Sequence, residues 1–202
     1  MLNFIAALVV AYLIGSVSFA VVVSRFSGLA DPRTYGSKNP GATNVLRSGN
    51  KKAAILTLLG DALKGTLAVA LAFHFQDQLG LTRSDIAWVG LAAFIGHLYP
   101  VFFKFEGGKG VATALGVLIG LKWALGLATA VTWVVIAYFF RYSSLAALIA
   151  SLFAVFYNVL LFGINGQAVA VAIMSALLIY RHKQNIANLI AGKESKIGQK
   201  SK

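Results

Sequence analysis

Three short stretches of this 202-residue chain hold most of the side chains that could do chemistry. In FEGGKGVAT, Phe105 to Thr113, the residues Gly107, Gly108 and Gly110 surround Lys109. Glycines let a backbone approach an anion closely. The apolar run beginning at Val111 sets a helix N-terminus directly behind them, where free N–H groups and the positive dipole end favour phosphate. Lys109 adds a full charge. The stretch is not a Walker A loop: the residue five before Gly108 is Phe103, and Gly110 replaces Ser or Thr, so nucleotide hydrolysis is not supported. A lone GGKG reads more readily as a glycine-rich turn whose lysine marks a membrane interface.

The second stretch, DPRTYGSKNPGATNVLR, crowds Gly, Pro, Asn, Ser and Thr into Gly36–Asn44, the composition of a tight loop rich in hydrogen-bonding groups. Arg47 follows Asn44 by three residues, so both point the same way if a helical turn starts there. A flexible polar connection accounts for the same composition equally well. The third, RHKQNIANLIAGKE, puts His182 and Asn185 on one helical face, with Ile186, Leu189 and Ile190 as an apolar stripe. An interfacial helix satisfies that pattern, as does a basic membrane-anchoring tail. Asp61 and Lys64 have the i,i+3 spacing of a pair inside an apolar segment, where ionisable residues face a bundle interior or a site. His97 has no obvious carboxylate partner and reads as structural. No His–Cys–carboxylate cluster suggests a metal, and a Ser/His/Asp triad lacks any supporting elbow motif.

The elements that must position these residues are membrane helices. Hydrophobic residues make up 58% of the chain and charged ones only 12%, against about 25% charged in soluble domains. Cysteine is absent, which excludes a disulfide framework. Spans of about 20 apolar residues are expected at Asn3–Ser24, Ala53–Phe75, Ile86–Phe103, Val111–Leu121, Trp123–Phe140, Leu145–Phe162 and Gln167–Tyr180. Val111–Phe140 could be one long helix or two broken near Lys122. With a break, all but three of the 18 Lys and Arg residues face one side, the exceptions being Lys64, Arg83 and Lys122. The positive-inside rule therefore favours seven spans. The fold expected is an all-α integral membrane protein, a single seven-transmembrane-helix bundle with its N-terminus periplasmic and its C-terminus cytoplasmic. Residues 1–202 form one domain, with 193–202 as a basic, flexible cytoplasmic tail. The net charge of +12 is spread between spans and lines no single patch, so nucleic-acid binding is discarded.

Taken together, GSKNPGATNVLR, GGKGVAT and RHKQNIANLIAGKE stand in the order and membrane context of one family. The chain resembles the bacterial acyl-phosphate glycerol-3-phosphate acyltransferases (the PlsY family) over essentially its whole length. The resemblance implies transfer of a fatty acyl group from a long-chain acyl phosphate to the 1-hydroxyl of glycerol 3-phosphate. It also implies an active site at the cytoplasmic face of the bacterial inner membrane, contact with membrane lipid, no cofactor, and function as a monomer. Carried over by motif, Lys109, Ser37, Arg47, His182 and Asn185 are the expected catalytic residues. Asn39, Thr43, Asn44, Gly107, Gly108, Gly110 and Ser144 are the expected substrate contacts. Lys38 stands where the family commonly has Gly, and Asn188 where Arg is frequent. His182 could accept the acceptor's proton; the resemblance suggests instead that the acceptor's own phosphate does so. A transporter for an organic phosphate is the alternative reading. Transporters place their sites at the midplane between internal repeats, whereas these polar stretches cluster on one inferred side.

Overall fold

A computed structural model of the protein describes residues 1–198, and among them every regular element is helical. In chain order these are α1 (Leu2–Gly15), α2 (Phe19–Phe26), α3 (Ala42–Leu46), α4 (Lys51–His74), α5 (Gln76–Leu79), α6 (Arg83–Leu98), α7 (Val111–Leu121), α8 (Trp123–Phe140), α9 (Ser143–Phe162), α10 (Gly166–Arg181) and α11 (Lys183–Ile190). Five stretches among the described residues are long and apolar enough to cross a membrane: Leu2–Phe26, Lys51–His74, Arg83–Phe103, Trp123–Phe140 and Ser143–Phe162. Val111–Leu121 and Gly166–Arg181 are shorter apolar helices. The expected tail beginning at 193 is described as far as 198; residues 199–202 lie outside the described residues.

Local chemistry explains most of the boundaries. Asn50 caps α4 by accepting from Ala53 N at 2.9 Å, and Asn165 caps α10 by accepting from Ala168 N at 3.0 Å. Thr82 and Asp85 form a reciprocal capping box at the start of α6, so orphan N–H groups are met at each start. Helix α6 stops at Leu98 because Tyr99 precedes Pro100 and takes a non-helical conformation, φ −134° and ψ 68°, in keeping with the disfavoured helical region before proline. The expected third span continues past it only as a short 3-10 turn, Val101–Phe103. Lys122 breaks α7 from α8 with an extended backbone at φ −161°, where the charge distribution places the break.

The core is built by close helix approach. Helix α4 packs along α7, α1 along α6, and α9 between α8 and α10. A Cβ on Gly65 would meet the carbonyl of Thr113, and one on Gly116 would meet the carbonyl of Ala62. Small residues at such crossings are how membrane helices bring backbones together. Large apolar side chains such as Leu63, Leu67, Val134, Phe139 and Leu160 remain exposed on the outer faces, as lipid-facing positions require.

The first expected span, Asn3–Ser24, falls within one apolar stretch, Leu2–Phe26, but its helix is not continuous. Helix α1 ends at Gly15 and α2 starts at Phe19. Ser16 Oγ donates back to Tyr12 O at 2.8 Å, and Val17 O accepts from Lys64 Nζ at 2.6 Å. A carbonyl drawn to a lysine on another helix leaves the helical ladder at that point. The expectation for His97 is corrected, since it does meet a carboxylate. Its Nδ1 lies 3.5 Å from Asp61 Oδ1 and 2.9 Å from Lys64 Nζ, and Lys64 Nζ lies 2.9 Å from Asp61 Oδ1. Asp61, Lys64 and His97 are 2%, 3% and 7% exposed, so the bundle holds a closed ionic knot joining the α1–α2 break, α4 and α6.

Candidate active site

The three polar stretches meet at one end of the bundle, and the glycine loop is the part held from most sides. Its Gly108 N donates to His97 O at 3.1 Å. Arg181, at the end of α10, donates to Gly107 O at 2.7 Å and to Gly108 O at 3.2 Å. A Cβ on Gly107 would meet the His97 and Leu98 carbonyls, and one on Gly108 would meet the His97 ring at Nε2. Gly110 sits at φ 88°, ahead of the first turn of α7, with the Phe94 ring where its Cβ would be. Only glycine fits that conformation in that space. The loop therefore lies flat on α6 and delivers Lys109 directly in front of a helix N-terminus.

Lys109 Nζ donates to Asn185 Oδ1, joining the glycine loop to the third stretch. Asn185 Nδ2 in turn donates to Glu194 Oε1 at 2.7 Å, and Ser144 Oγ donates to the same oxygen at 2.6 Å. Arg47 reaches the next residue of that segment, donating to Ser195 Oγ at 2.9 Å. Lys109, Asn185, Ser144 and Arg47 thus converge on one short piece of chain, Glu194–Ser195. Burial pushes the Lys109 ammonium below the usual lysine range, Glu194 opposes that shift, and the Arg47 and Arg181 charges reinforce it. Glu194 is the only acidic residue after Glu106, and it lies among these cations as their counter-charge.

His182 caps the end of α10, 3% exposed. Its Nδ1 is 2.8 Å from Leu178 O, a geometry that makes Nδ1 the donor and leaves Nε2 as the acceptor of the neutral ring. Burial pushes its pKa down to about 4; the hydrogen bond to Leu178 O and the Glu194 charge oppose this, while the Lys109 and Arg181 charges add to it.

The second stretch, around Asn44, is a scaffolded loop. Asn44, buried at the start of α3, accepts from Ser37 N at 3.0 Å and donates to Pro32 O at 2.7 Å and Tyr35 O at 3.1 Å. All of its hydrogen bonding among the described residues goes to the loop's own backbone. Arg47 lies against Gly36 beside Asn44, so the three-residue spacing does place them together. Lys38 takes a left-handed φ of 55°, which explains why glycine suits that position. The side chains of Ser37, Asn39 and Thr43 are not hydrogen-bonded to the Lys109 group among the described residues; Ser37 and Thr43 are exposed on the same loop. Contact between the loops runs through Pro40, whose carbonyl faces Gly108, and through Arg33, which pairs with Asp31 at 2.7 Å and approaches Glu106 at 3.6 Å.

Sequence reasoning missed two residues of this site. Arg181 reads there as one more interfacial charge. Glu194 had one available signal, a lone carboxylate in a basic segment. Among the described residues, no group of three or more His, Cys, Asp or Glu side chains is placed to hold a metal ion.

An all-helical bundle with five stretches long and apolar enough to cross a membrane, and a glycine loop, a lysine and an arginine gathered at one end, has the character of an integral membrane protein. The model of the family described as glycerol-3-phosphate acyltransferase matches residues 5–192, and the chain belongs to that family. It is 70% identical to the glycerol-3-phosphate acyltransferase of Ralstonia nicotianae, over 96% of this chain and 94% of that one. It is 65% identical to that of Burkholderia orbicola, over 100% of this chain and 96% of that one. Two crystal structures of PlsY, an integral membrane glycerol 3-phosphate acyltransferase, have the same fold. The glycerol 3-phosphate form matches with a TM-score of 0.89 at 37% identity, covering 96% of each chain. The lysophosphatidic acid form matches at 0.87 and 36%, covering 96% of this chain and 95% of that one. The protein is an acyltransferase of the membrane.

Proposed function

We propose that this protein moves a fatty acyl group from acyl phosphate to the 1-hydroxyl of glycerol 3-phosphate. In the reaction the acceptor oxygen bonds to the acyl carbonyl carbon, the carbonyl–phosphate C–O bond breaks, and inorganic phosphate leaves. Lysophosphatidic acid remains. The observation that carries this reading is the convergence of Lys109, which precedes the N-terminus of α7, with Asn185, Ser144 and Arg47 around Glu194–Ser195, a set of donors and cations suited to phosphate. In this reading Lys109, Arg47 and the loop amides stabilise charge on the phosphates and at the reacting carbonyl. Ser37, Asn39 and Thr43 line the approach from the neighbouring loop. An acyl phosphate already has a good leaving group, so no protein nucleophile is required.

The acceptor hydroxyl must lose a proton. A phosphate monoester, with a second pKa of about 6, is a stronger base than His182 with its pKa pushed down to about 4. That ordering supports the acceptor's own phosphate as the base, with His182 and Asn185 positioning it. The seven apolar helices and the basic segments at 25–52, 104–109, 141 and 181–198 support a seven-span topology with the N-terminus outside and the site at the cytoplasmic face of the inner membrane. The test is purified, folded protein supplied with glycerol 3-phosphate and acyl phosphates of two chain lengths, following phosphate release and lysophosphatidic acid. Absence of product with both donors would reject the reading, and counterflow of labelled glycerol 3-phosphate in proteoliposomes would then favour a transporter.

Two expectations attach to this reading. Replacing Gly108 by Ala drives a Cβ into the His97 ring, which Lys64 and Asp61 hold in place. Overpacking of this kind costs about 1–3 kcal/mol of folding stability, and relief by displacement of the loop should raise KM for glycerol 3-phosphate. Steady-state kinetics of Gly108→Ala check it. The second expectation concerns pH. His182 has a folded pKa below its unfolded value of 6.5, so between about 6.5 and 4 the unfolded chain binds the extra proton. Its contribution to stability is therefore complete above pH 6.5 and falls as the pH drops towards 4. Unfolding followed at pH 5 and 7.5 should show a smaller difference in His182→Gln than in the native protein.

A further inference from the structure

We propose that Arg181 is a positioning residue that aims the amide of Lys109 at the substrate phosphate; this rests on the acyltransferase reading above. The argument begins with two peptide planes. In a trans peptide the C=O of one residue and the N–H of the next point in opposite directions, and the described backbone holds no cis bonds. The Gly107–Gly108 plane is fixed at both ends, because Arg181 takes Gly107 O at 2.7 Å and His97 O takes Gly108 N at 3.1 Å. The Gly108–Lys109 plane is fixed at its carbonyl alone, by Arg181 at 3.2 Å. Its N–H, on Lys109, must then point away from Arg181. That amide meets no acceptor among the described residues.

Without this clamp nothing holds the direction of that amide. Glycine populates several backbone conformations with nearly equal ease, and Gly108 stands between a pinned plane and the one that carries the free donor. A guanidinium presents several donors in a rigid fork and so spans two successive carbonyls, whereas an ammonium is a point charge. Arg181 is itself held by the Tyr99 ring, with its guanidinium carbon 5.4 Å from the ring centre. The same helix corner contributes from the other side. Four residues on, Asn185 accepts from the Lys109 side chain. One corner of the chain thus grips the glycine loop from behind through Arg181 and steers its lysine from the front through Asn185.

The test is kinetic and uses the whole protein in detergent or bilayer. Arg181→Met is expected to raise KM for glycerol 3-phosphate and the inhibition constant of inorganic phosphate together by about tenfold, the loss of charge-assisted hydrogen bonds. Its kcat at saturation should change by less than about threefold, because the clamp acts on ground-state and transition-state binding alike. Arg181→Lys keeps the charge but not the fork and should recover only part of the affinity. Should Arg181→Met not fold, Tyr99→Leu removes the ring that steadies the guanidinium and is expected to shift both constants the same way by about threefold. Native KM and phosphate inhibition in Arg181→Met, or in Tyr99→Leu where the former does not fold, would overturn the proposal. So would full recovery in Arg181→Lys, which would assign the effect to charge alone, or a fall in kcat with KM unchanged. If the native protein itself makes no product and binds no phosphate, it is the acyltransferase reading that fails.

Discussion

Lys109→Ala is expected to cut kcat/KM by about a thousandfold, the upper end of what one charge-stabilising donor contributes in a pre-organised site. The side chain is half-buried and its ammonium is presented between the α7 N-terminus and Asn185. No other cation stands in the glycine loop from Phe105 to Thr113. Truncation leaves the loop's backbone bonds to Arg181 and His97 in place, so the variant should still elute as a folded protein and melt near the native temperature. Lys109→Arg restores charge but must fit a larger planar group beside Asn185, and partial activity is the expected result. Turnover of Lys109→Ala within tenfold of native would show that the loop amides alone serve the phosphate and that the lysine is dispensable.

The second large effect falls on stability. Asp61→Asn should lower the unfolding free energy by about 3–5 kcal/mol, the usual consequence of removing one partner from a buried ion pair. Asp61 and Lys64 are almost wholly enclosed, and lipid beyond the bundle offers no water to rehydrate the lysine. The combined replacement Asp61→Leu with Lys64→Met removes both charges and should be close to neutral, apart from about 1 kcal/mol for the donor lost by Val17 O. Thermal unfolding of the single and double variants in one detergent compares them directly. A single variant as stable as the native protein would mean that the knot does not lock the helices it joins.

The sequence made legible the elements whose cause is local. Apolar runs mark the helices, and the imbalance of Lys and Arg between sides finds the break at Lys122, although the third expected span runs on through Pro100 to Phe103 where α6 stops at Leu98. The glycine loop was legible because glycine, lysine and the helix start are contiguous. What stayed hidden depends on partners far apart in the chain. The interruption of the first apolar stretch is tied to Lys64, forty-seven residues beyond Val17. His97 meets Asp61 across two helices, a pairing no spacing rule reaches. Asn44 is expected as a substrate contact from the family resemblance alone; its bonds to Ser37, Pro32 and Tyr35, which tie the loop down, reach back seven to twelve residues and follow no spacing rule. Glu194 and Arg181 are ordinary charges until the fold brings them to Ser144 and to the glycine carbonyls.

The brevity of α7 has a consequence for how the enzyme meets its donor. Eleven residues at 1.5 Å each extend about 16 Å, roughly half of a ~30 Å hydrocarbon core. The loop that begins this helix need not be reached from bulk water by a molecule leaving the bilayer. For the proposed donor, arrival is a lateral search in two dimensions, and its working concentration is its mole fraction among lipids. Rates measured in mixed micelles or vesicles should therefore collapse onto one curve against surface density, and scatter when plotted against molarity.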